Sequence, residues 1–301
     1  MNLTWIKVPQ IALCATMSAG KSTLINALLG NSYIPSSNFS CTAKIISLLN
    51  YSVGDDLIAC KLTTDGKITE IPMRSYKTLR DWNNDMEISQ IYLVGELMNI
   101  FVPIVLNDTP GTNSADNVEH IKITQNFLKE YVSNLIIFVI NAEAIGTIDE
   151  KNLLIWLNAE IFEKYSVEII FAVNKLDSFD SEREDISEVI SGIKKYLSEL
   201  GFQNFNIFPI STEAALLFRK LIKRKKFTRL ENIRLKFLYD RFIEDDFQVS
   251  KDLKILPFTG EDEIISFRDE NYKISDLYKA IQKTGICELE NFINNKFREV
   301  R

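Results

Sequence analysis

A short apolar run, Gln10–Cys14, leads directly into the eight residues Ala15-Thr-Met-Ser-Ala-Gly-Lys-Ser22, and a helical pattern, Ser22–Leu29, follows them. These eight residues match the pattern G-x-x-x-x-G-K-[ST], except that Ala15 stands where the first glycine is expected. Consecutive backbone N–H groups in such a loop, together with the N-terminal end of the next helix, bind a phosphate group. The sequence therefore predicts a strand, a phosphate-binding loop and a helix in succession, as in α/β nucleotide-binding folds.

The residues of this loop have separate predicted roles. The Lys21 ammonium is expected to reach the β- and γ-phosphates, and the Ser22 hydroxyl is expected to bind Mg²⁺. Gly20 leaves room for a close approach of the backbone to the phosphate. The residues of the loop that are predicted to contact the nucleotide are Met17, Ser18, Ala19, Gly20, Lys21, Ser22 and Thr23.

Strand and helix patterns alternate over the first two thirds of the chain. Several predicted strands are apolar on both faces, as in a sheet that helices cover on both sides. The predicted strands are Gln10–Cys14, Lys44–Leu49, Leu57–Leu62, Phe101–Leu106, Leu135–Ile140, Glu168–Val173 and Asn206–Ile210. The predicted helices are Ser22–Leu29, Asn117–Val132, Glu150–Phe162 and Ser181–Leu200. This alternation predicts a P-loop α/β domain with a mostly parallel central sheet flanked by helices.

A second motif, Asn174-Lys175-Leu176-Asp177, follows the apolar strand Glu168–Val173. A carboxylate at Asp177 can accept hydrogen bonds from both N1–H and the exocyclic amine of guanine. Adenine lacks this pair of donors, so Asp177 would be buried and unpaired beside it. That would cost about 1–3 kcal/mol of binding free energy, and more if the carboxylate is charged. We expect Asn174 to brace the loop and the Lys175 stem to cover the base, which predicts selectivity for GTP.

Two further segments are expected at the γ-phosphate. Asp108-Thr-Pro-Gly111 follows the strand Phe101–Leu106, and we expect Asp108 to hold Mg²⁺ through water and the Gly111 N–H to contact the γ-phosphate. Thr42 lies between the first helix and the next strand, where its hydroxyl can bind Mg²⁺ and its backbone can position the attacking water. At the other end of the site, the backbone N–H of Ser211 is predicted to contact the guanine carbonyl.

Composition argues against several other classes of protein. His120 is the single histidine among 301 residues, which argues against Ser-His-Asp and Cys-His catalysis and against multi-histidine metal sites. The four cysteines share no metal-ligand spacing and are interpreted as free thiols of a reducing cytosol. Neither a leader nor a run long enough to span a bilayer is evident. We expect a cytoplasmic protein whose membrane contact, if any, is peripheral.

The pattern and composition of the sequence change after Ser211. Thr212–Arg241 has one long helical pattern, Ile243–Phe267 is acidic and irregular, and Tyr272–Phe297 returns to a helical pattern with a turn at Thr284–Gly285. The predicted division is therefore a core at residues 1–212, a mostly helical insertion at residues 213–283 and a closing helix at residues 284–301. We expect that last helix either to pack on the core or to begin a stalk.

One strongly basic run, Arg219–Lys226, lies in the predicted insertion. The favoured interpretation is a solvated helix face whose charge the acidic stretches Glu244–Asp246 and Glu261–Glu263 balance. The alternative is contact with anionic lipid or with another subunit, worth about 1 kcal/mol per well-placed base near a membrane.

The segment Ser18-Ala-Gly-Lys-Ser-Thr-Leu-Ile-Asn-Ala-Leu-Leu-Gly30 resembles the P-loop and first helix of bacterial dynamin-like GTPases. The spacing from Gly30 through Pro35 to Thr42 is similar to switch I of that family. Asp108-Thr-Pro-Gly-Thr-Asn-Ser114 resembles its switch II, and the 174–177 segment resembles its guanine motif. Gly285-Ile-Cys-Glu-Leu289 is like the helix that closes these domains.

This resemblance implies a mechanism and a set of partners. Dynamin-like GTPases bind nucleotide weakly, dimerise through their GTPase domains and hydrolyse GTP without an external arginine finger. A monovalent cation, K⁺ or Na⁺, takes the place of that arginine and is held partly by the serine that matches Ser18. Thr42 would position water, whereas the polar residue that often aligns this water in the family is replaced here by Met17. The implied partners are GTP and GDP, a second copy of the chain, other dynamin-like subunits and a membrane to be remodelled.

Two other functions fit the same motifs. A ribosome- or RNA-associated GTPase of the translation-factor class shares them, but the acidic sequence pI of about 5.2 counts against a nucleic-acid partner. A slow GTPase that acts as an assembly scaffold or switch is the other alternative. Because the family carries a stalk and a membrane-binding tip of which little is evident, we expect part of a longer protein rather than a minimal relative.

Overall fold

The strongly apolar runs of the sequence form the centre of a nine-stranded sheet in the computed structural model. The structure describes residues 8–35, 44–54, 57–73, 76–111, 118–130, 133–165, 167–180, 183–268 and 270–299. The strand order is β4-β3-β5-β2-β6-β1-β7-β8-β9. The strands are β1 (Gln10–Cys14), β2 (Ile46–Asn50), β3 (Ile58–Thr63), β4 (Ile68–Pro72), β5 (Ile88–Gly95), β6 (Val105–Asp108), β7 (Leu135–Asn141), β8 (Glu168–Asn174) and β9 (Asn206–Pro209).

Parallel pairing predominates in the half of the sheet that carries the site. The strands β6, β1, β7, β8 and β9 pair in parallel. The β2 strand runs antiparallel to β6, and β3 pairs antiparallel with both β4 and β5. The predicted mostly parallel sheet is confirmed. The sequence prediction missed β4 and β5, whose exposed positions break the continuous apolar pattern of the central strands.

Helices cover the sheet and follow most of its parallel strands. They are α1 (Lys21–Leu29), α2 (Tyr76–Asn84), α3 (Val118–Glu130), α4 (Ile148–Leu157), α5 (Glu163–Tyr165), α6 (Ile186–Glu199), α7 (Thr212–Ile222), α8 (Arg229–Tyr239), α9 (Ile274–Lys283) and α10 (Ile286–Lys296). A π-helical turn, Asn158–Phe162, joins α4 to α5. In the described part of the chain, no helix has the length and apolar character needed to cross a membrane.

The predicted single helix Thr212–Arg241 is two helices. The α7 helix ends at Ile222, and α8 begins at Arg229 after a connection in which Arg224 has a positive φ of 51°. Thr228 and Glu231 form a reciprocal capping box that starts α8. The T-x-x-E spacing of this box was present in the sequence as a helix-start signal, but the continuous basic pattern concealed it. A short hairpin of β10 (Ile264–Phe267) and β11 (Glu270–Lys273) precedes α9.

Buried charges hold the C-terminal helices to the first helix of the fold. The Arg219 guanidinium on α7 donates to the Ala27 carbonyl at 2.9 Å and forms an ion pair with Glu290 on α10 at 2.7 Å. Both side chains of this pair are almost completely buried. The Ser211 N–H also donates to the Thr284 carbonyl, at 2.9 Å. These contacts join the three predicted segments, and the boundaries at 212 and 283 stay a prediction.

The basic run Arg219–Lys226 is therefore not one solvated face. Arg219 and Lys220 are buried, and Lys220 forms an ion pair with Glu231. Arg224 is exposed and lies 3.7 Å from Glu263. The prediction of a solvated face is wrong for the first two residues, because their charges serve contacts between helices that a one-dimensional pattern does not reveal.

Candidate nucleotide site

The phosphate loop turns sharply between β1 and α1. Ser18 and Gly20 both have positive φ, at 61° and 97°. A Cβ atom added to Gly20 would lie 2.1 Å from Asn174 Nδ2, so both the backbone angle and the available space require glycine. Ala15, which replaces the first glycine of the pattern, is buried, and it is not among the residues with positive φ. Alanine at this position therefore carries no backbone strain.

Lys21 and Asp108 meet at the start of α1. The Lys21 ammonium lies 2.7 Å from Asp108 Oδ1, and both side chains are buried. The Ser22 hydroxyl lies 3.5 Å from the other oxygen, Asp108 Oδ2. The residue at the end of β6 is thereby brought to the first turn of α1, although the two are 87 positions apart. The carboxyl ends of parallel strands meet at one edge of a sheet, and this is the geometric reason.

A carboxylate and a hydroxyl within reach of each other fit the ligand preference of Mg²⁺. This ion takes oxygen ligands and keeps several waters, so one or two protein groups plus substrate phosphates complete its site. Ser22 and Asp108 supply such groups, and Thr42, the third predicted ligand, lies outside the described residues. Among the described residues, no cluster of three or more His, Cys, Asp or Glu side chains could hold a metal by itself.

Hydrogen bonds to β1 and α3 hold the segment that follows Asp108. The Thr109 hydroxyl donates to the Leu13 carbonyl at 2.7 Å, and Thr124 on α3 donates to the Pro110 carbonyl at 3.1 Å. A Cβ atom on Gly111 would lie 3.4 Å from the Met17 Cα atom. Gly111 is thus held against the phosphate loop, where a backbone N–H can face the terminal phosphate.

Asn174, the last residue of β8, connects two other parts of the site. Its Nδ2 atom donates to the Ala19 carbonyl at 2.9 Å, and its Oδ1 atom accepts from the Thr212 N–H at 3.0 Å. The side chain is buried. The predicted bracing by Asn174 therefore extends from the phosphate loop to the N-terminus of α7.

Asp177 presents a buried carboxylate beside this brace. Its Oδ1 atom accepts a hydrogen bond from the Ser211 hydroxyl at 2.7 Å, and its Oδ2 atom lies 3.6 Å from the Arg234 guanidinium. Burial raises the pKa of Asp177, and the Ser211 hydrogen bond and the Arg234 charge oppose this effect. The carboxylate is placed to accept hydrogen bonds from a base in the cavity.

Ser211 contacts the site through its side-chain hydroxyl, whereas the sequence predicted a contact through its backbone N–H. Its N–H donates to the Thr284 carbonyl, so the predicted contact between this N–H and the guanine carbonyl does not fit the structure. The C-terminal end of α9, where Thr284 lies, occupies that donor. The Ser211 hydroxyl instead fixes the orientation of Asp177.

Lys175 adopts a left-handed backbone conformation, with φ of 68°, and its ammonium lies 3.2 Å from Glu143. This pair extends the Lys175 stem along one side of the cavity. Glu143 follows β7 in a 3₁₀ turn that the Asn141 side chain caps. The stem is therefore available to cover a base that lies against Asp177.

One cavity of about 540 Å³ gathers most of the predicted residues. Those that line it are Met17, Ser18, Ala19, Gly20, Lys21, Ser22, Thr23, Gly111, Asn174, Lys175 and Asp177. Asp108 and Ser211 lie just behind its wall, each fully buried and bonded to a lining residue. This volume suits a ligand of nucleotide size.

Sequence reasoning missed the contribution of α7 and α8 to this cavity. Glu213, Leu230 and Arg234 line it, and Arg234 forms a salt bridge with Glu213 at 2.7 Å. The basic character of the segment was evident in the sequence, but no local motif indicated which basic side chain lines the cavity.

Comparison with known families agrees with this geometry. A model of the dynamin family matches residues 11–176, from β1 through the beginning of the guanine motif. The chain belongs to the dynamin family. Its nucleotide site is accordingly that of a dynamin-family GTPase domain, as the resemblance of the motifs predicted.

Two curated relatives share this region of the chain. An uncharacterised protein in the xynA 3′ region of Caldicellulosiruptor sp. strain Rt8B.4 is 30% identical over 204 residues, which is 65% of this chain and 47% of that protein. A probable chloroplastic transmembrane GTPase, FZO-like, of Arabidopsis thaliana is 25% identical over 209 residues, which is 68% of this chain and 19% of that protein. The chain thus spans less than half the length of either relative.

The solved structure of an oligomerised bacterial dynamin pair has the same fold. It aligns with 78% of this chain and 38% of its own chain, at a TM-score of 0.51 and 19% sequence identity. A second structure of such a pair aligns with a TM-score of 0.52 at the same coverage. Likeness at this level of identity concerns the fold.

Proposed function

We propose that the protein hydrolyses GTP to GDP and phosphate in the cavity between the phosphate loop and α8. The observation that carries this proposal is that one cavity combines the Lys21–Asp108 pair with the buried Asp177 carboxylate. The first pair suits the phosphates, and the second group suits the base. Membership of the dynamin family supports the same activity.

Guanine selectivity follows from the burial of Asp177. A carboxylate almost completely shielded from water needs partners, and guanine N1–H and its exocyclic amine supply two. Adenine offers an acceptor at N1 instead of a donor. A site built around a buried acceptor rejects a ligand that lacks the matching donor, because the acceptor is then unpaired.

The catalytic residues in this proposal are Ser18, Lys21, Thr42 and Gly111. Lys21 and the Gly111 N–H would stabilise the negative charge of the terminal phosphate, as in other phosphoryl-transfer sites. Thr42 would position the attacking water, and Ser18 would help to hold a monovalent cation. Bound through Ser22, Asp108 and Thr42, Mg²⁺ would neutralise charge on the β- and γ-phosphates.

We also propose that nucleotide-dependent dimerisation through the GTPase domain stimulates turnover and that the activity serves membrane remodelling. An exposed apolar stripe on α8 supports dimerisation: Leu230, Ile233 and Phe237 follow one another on one face of the helix. Leu230 also lines the cavity, so the stripe is continuous with the nucleotide site. The structural neighbours are described as a bacterial dynamin pair that senses and tethers membranes, which supports the membrane role and peripheral location.

Phosphate release from GTP and from ATP tests the activity. With Mg²⁺ and K⁺ present, release per molecule is expected to be selective for GTP and to rise with protein concentration over about a hundredfold range. Preference for ATP would overturn the assignment of Asp177. Flat and very slow turnover would instead favour an assembly switch in which hydrolysis is incidental.

Substitution of the stripe tests the dimer separately. Ile233→Ser is expected to flatten the dependence of turnover on concentration while leaving GDP binding within about twofold, because it lines no part of the cavity. Met86→Ser, which also changes an exposed apolar side chain, is the matched control. A stripe variant whose turnover rises with concentration like that of the parent protein would refute this interface.

A further inference from the structure

The Arg234 guanidinium stands between two acidic side chains at the base end of the cavity. Its Nη2 atom donates to Glu213 Oε2 at 2.7 Å, and its Nε atom donates to the same oxygen at 3.2 Å. The guanidinium also lies 5.4 Å from the centre of the Phe237 ring. Two hydrogen bonds and a ring contact fix this group, so its direction is determined by its neighbours.

Arg234 faces the carboxylate that is expected to recognise guanine. The 3.6 Å separation of Arg234 Nη2 and Asp177 Oδ2 is longer than a hydrogen bond but close for opposite charges. The Ser211 hydroxyl occupies Oδ1, on the other side of the carboxylate. Arg234 is about one-third exposed and lines the cavity, whereas Asp177 is buried.

The charges that act on Asp177 come from several elements. Glu213, at the start of α7, raises the pKa of this carboxyl, and Arg234, on α8, lowers it. Arg241 lies in the π-helical turn Asp240–Glu244 after α8, and its guanidinium donates to the Phe179 carbonyl. The nearby Asp177 charge opposes the lowering of the Arg241 pKa by burial. Burial is the largest effect and favours the protonated form. Arg234 therefore offsets both burial and the neighbouring acidic group.

Protonation of Asp177 would remove its ability to accept from guanine. An ionised carboxylate offers acceptors on both oxygens, whereas a protonated one turns one oxygen into a donor. A donor aimed at guanine N1–H meets another donor and is repelled. The charge state of this buried group thus decides whether the base is recognised.

We propose that Arg234 is a positioning residue for guanine recognition, whose guanidinium keeps the Asp177 carboxylate charged and directed at the base. This inference rests on the proposed binding of GTP and assigns a role to α8 that no motif of the sequence carries. Through Arg234, α8 would contact the nucleotide site, and further contacts hold the first turn of α8 beside the end of α1. Ser32, just after α1, donates to Glu231 in the first turn of α8, and Lys220 pairs with the same carboxylate.

GDP affinity measured as a function of pH tests the proposal without the complication of hydrolysis. We would compare the parent protein with Arg234→Gln, from about pH 5 to about pH 9, by titration of a fluorescent GDP analogue. The GDP affinity of Arg234→Gln is expected to be about tenfold lower than that of the parent protein at neutral pH. As the pH is lowered, the variant is expected to lose affinity sooner, at a higher pH than the parent protein, because its Asp177 carboxyl is protonated more easily. The nucleotide phosphates titrate equally in both proteins, so their contribution cancels in the comparison.

Two more variants separate charge from structure. Arg234→Lys keeps the positive charge and is expected to restore most of the parent pH profile. Glu213→Gln keeps an acceptor for Arg234 while removing a negative charge, and it is expected to move the profile to lower pH, opposite to Arg234→Gln. Lys236→Gln, a change of an exposed base on the same helix that pairs with Glu270, is the matched control.

The outcomes distinguish the proposal from the assignment of function. If the parent protein binds GDP selectively over ADP and Arg234→Gln lowers affinity equally at every pH, the role of Arg234 is structural and the proposal is wrong. A protein that does not prefer GDP to ADP would overturn the proposed function and this inference together. Opposite pH shifts in the Arg234→Gln and Glu213→Gln variants would establish the role of Arg234.

Discussion

The side-chain amide of Asn174 donates to the Ala19 carbonyl across 2.9 Å, although the two residues are 155 positions apart. The same side chain accepts from the Thr212 N–H. One buried asparagine thereby fixes the distance between the phosphate loop and the base-recognition segment. A nucleotide bound at both ends needs this distance to be constant, because misplacement of either end reduces affinity and rate.

Asn174→Ala is expected to lower GDP affinity by about tenfold or more. The substitution removes both hydrogen bonds and leaves a buried carbonyl and a buried N–H unpaired, at about 1–3 kcal/mol each. Thermal unfolding and a titration with a fluorescent GDP analogue would measure the two effects. An affinity within about twofold of the parent value would show that the brace has no part in binding.

Gly20→Ala is expected to abolish nucleotide binding. A Cβ atom there would lie 2.1 Å from Asn174 Nδ2, and φ is 97°. Gly66→Ala is the matched control, because Gly66 also has a positive φ, of 82°, yet a Cβ atom there would meet no atom of the described residues within 4 Å. Backbone strain alone costs on the order of 1 kcal/mol, so the control is expected to lose a little stability and to bind nucleotide normally. Equal binding by the two variants would contradict the role assigned to the close approach.

Asp177→Asn is expected to exchange guanine for xanthine. The amide presents one acceptor and one donor, and the C2 carbonyl of xanthine accepts from that donor where guanine would offer its amine. GDP affinity is expected to fall by about 100-fold, and xanthosine diphosphate is expected to bind better than it does to the parent protein. Competition titration with both nucleotides would measure this. Loss of GDP binding with no gain for the xanthine nucleotide would indicate a damaged fold rather than altered recognition.

Glu290→Ala is expected to destabilise the protein by about 3–5 kcal/mol, since it leaves the buried Arg219 charge without its partner. The double variant Arg219→Met with Glu290→Leu is expected to recover most of this loss, because apolar groups of similar volume need no partner. Urea unfolding of the parent protein, Arg219→Met, Glu290→Leu and the double variant would complete the cycle. Additive effects would show that the pair does not couple α7 to α10.

Glu150→Gln tests a buried acid away from the site. Glu150 Oε1 accepts from the Gly146 N–H at 3.0 Å, and Oε2 has no hydrogen-bond partner among the residues that the structure describes. Burial raises the pKa of Glu150. A raised folded-state pKa means that the parent protein gains stability as the pH falls through that value toward the unfolded one, and loses it as the pH rises. Glu150→Gln is therefore expected to be more stable than the parent protein at pH 8, where the buried Glu150 carboxyl must carry a charge. This advantage should shrink toward pH 4, and urea unfolding at both pH values would show whether it does.

The sequence by itself determined the fold class and the order of the site segments. Continuous apolar runs such as Leu135–Asn141 need cover on both faces, and the loop after Gln10–Cys14 needs a strand before it and a helix after it. These are local requirements, and local patterns express them. The exposed strand Ile68–Pro72 has no such apolar run, and it was not predicted.

The tertiary structure alone decided which distant side chains share the cavity and which charges are buried. Nothing local distinguishes Arg219, buried against Glu290, from Arg224, which is exposed only five positions later. Likewise, Arg234 faces Asp177 only because α8 packs against α7 and is held there by the ion pair between Arg234 and Glu213. Such contacts depend on how helices pack, and packing is a property of the assembled chain that no window of sequence contains.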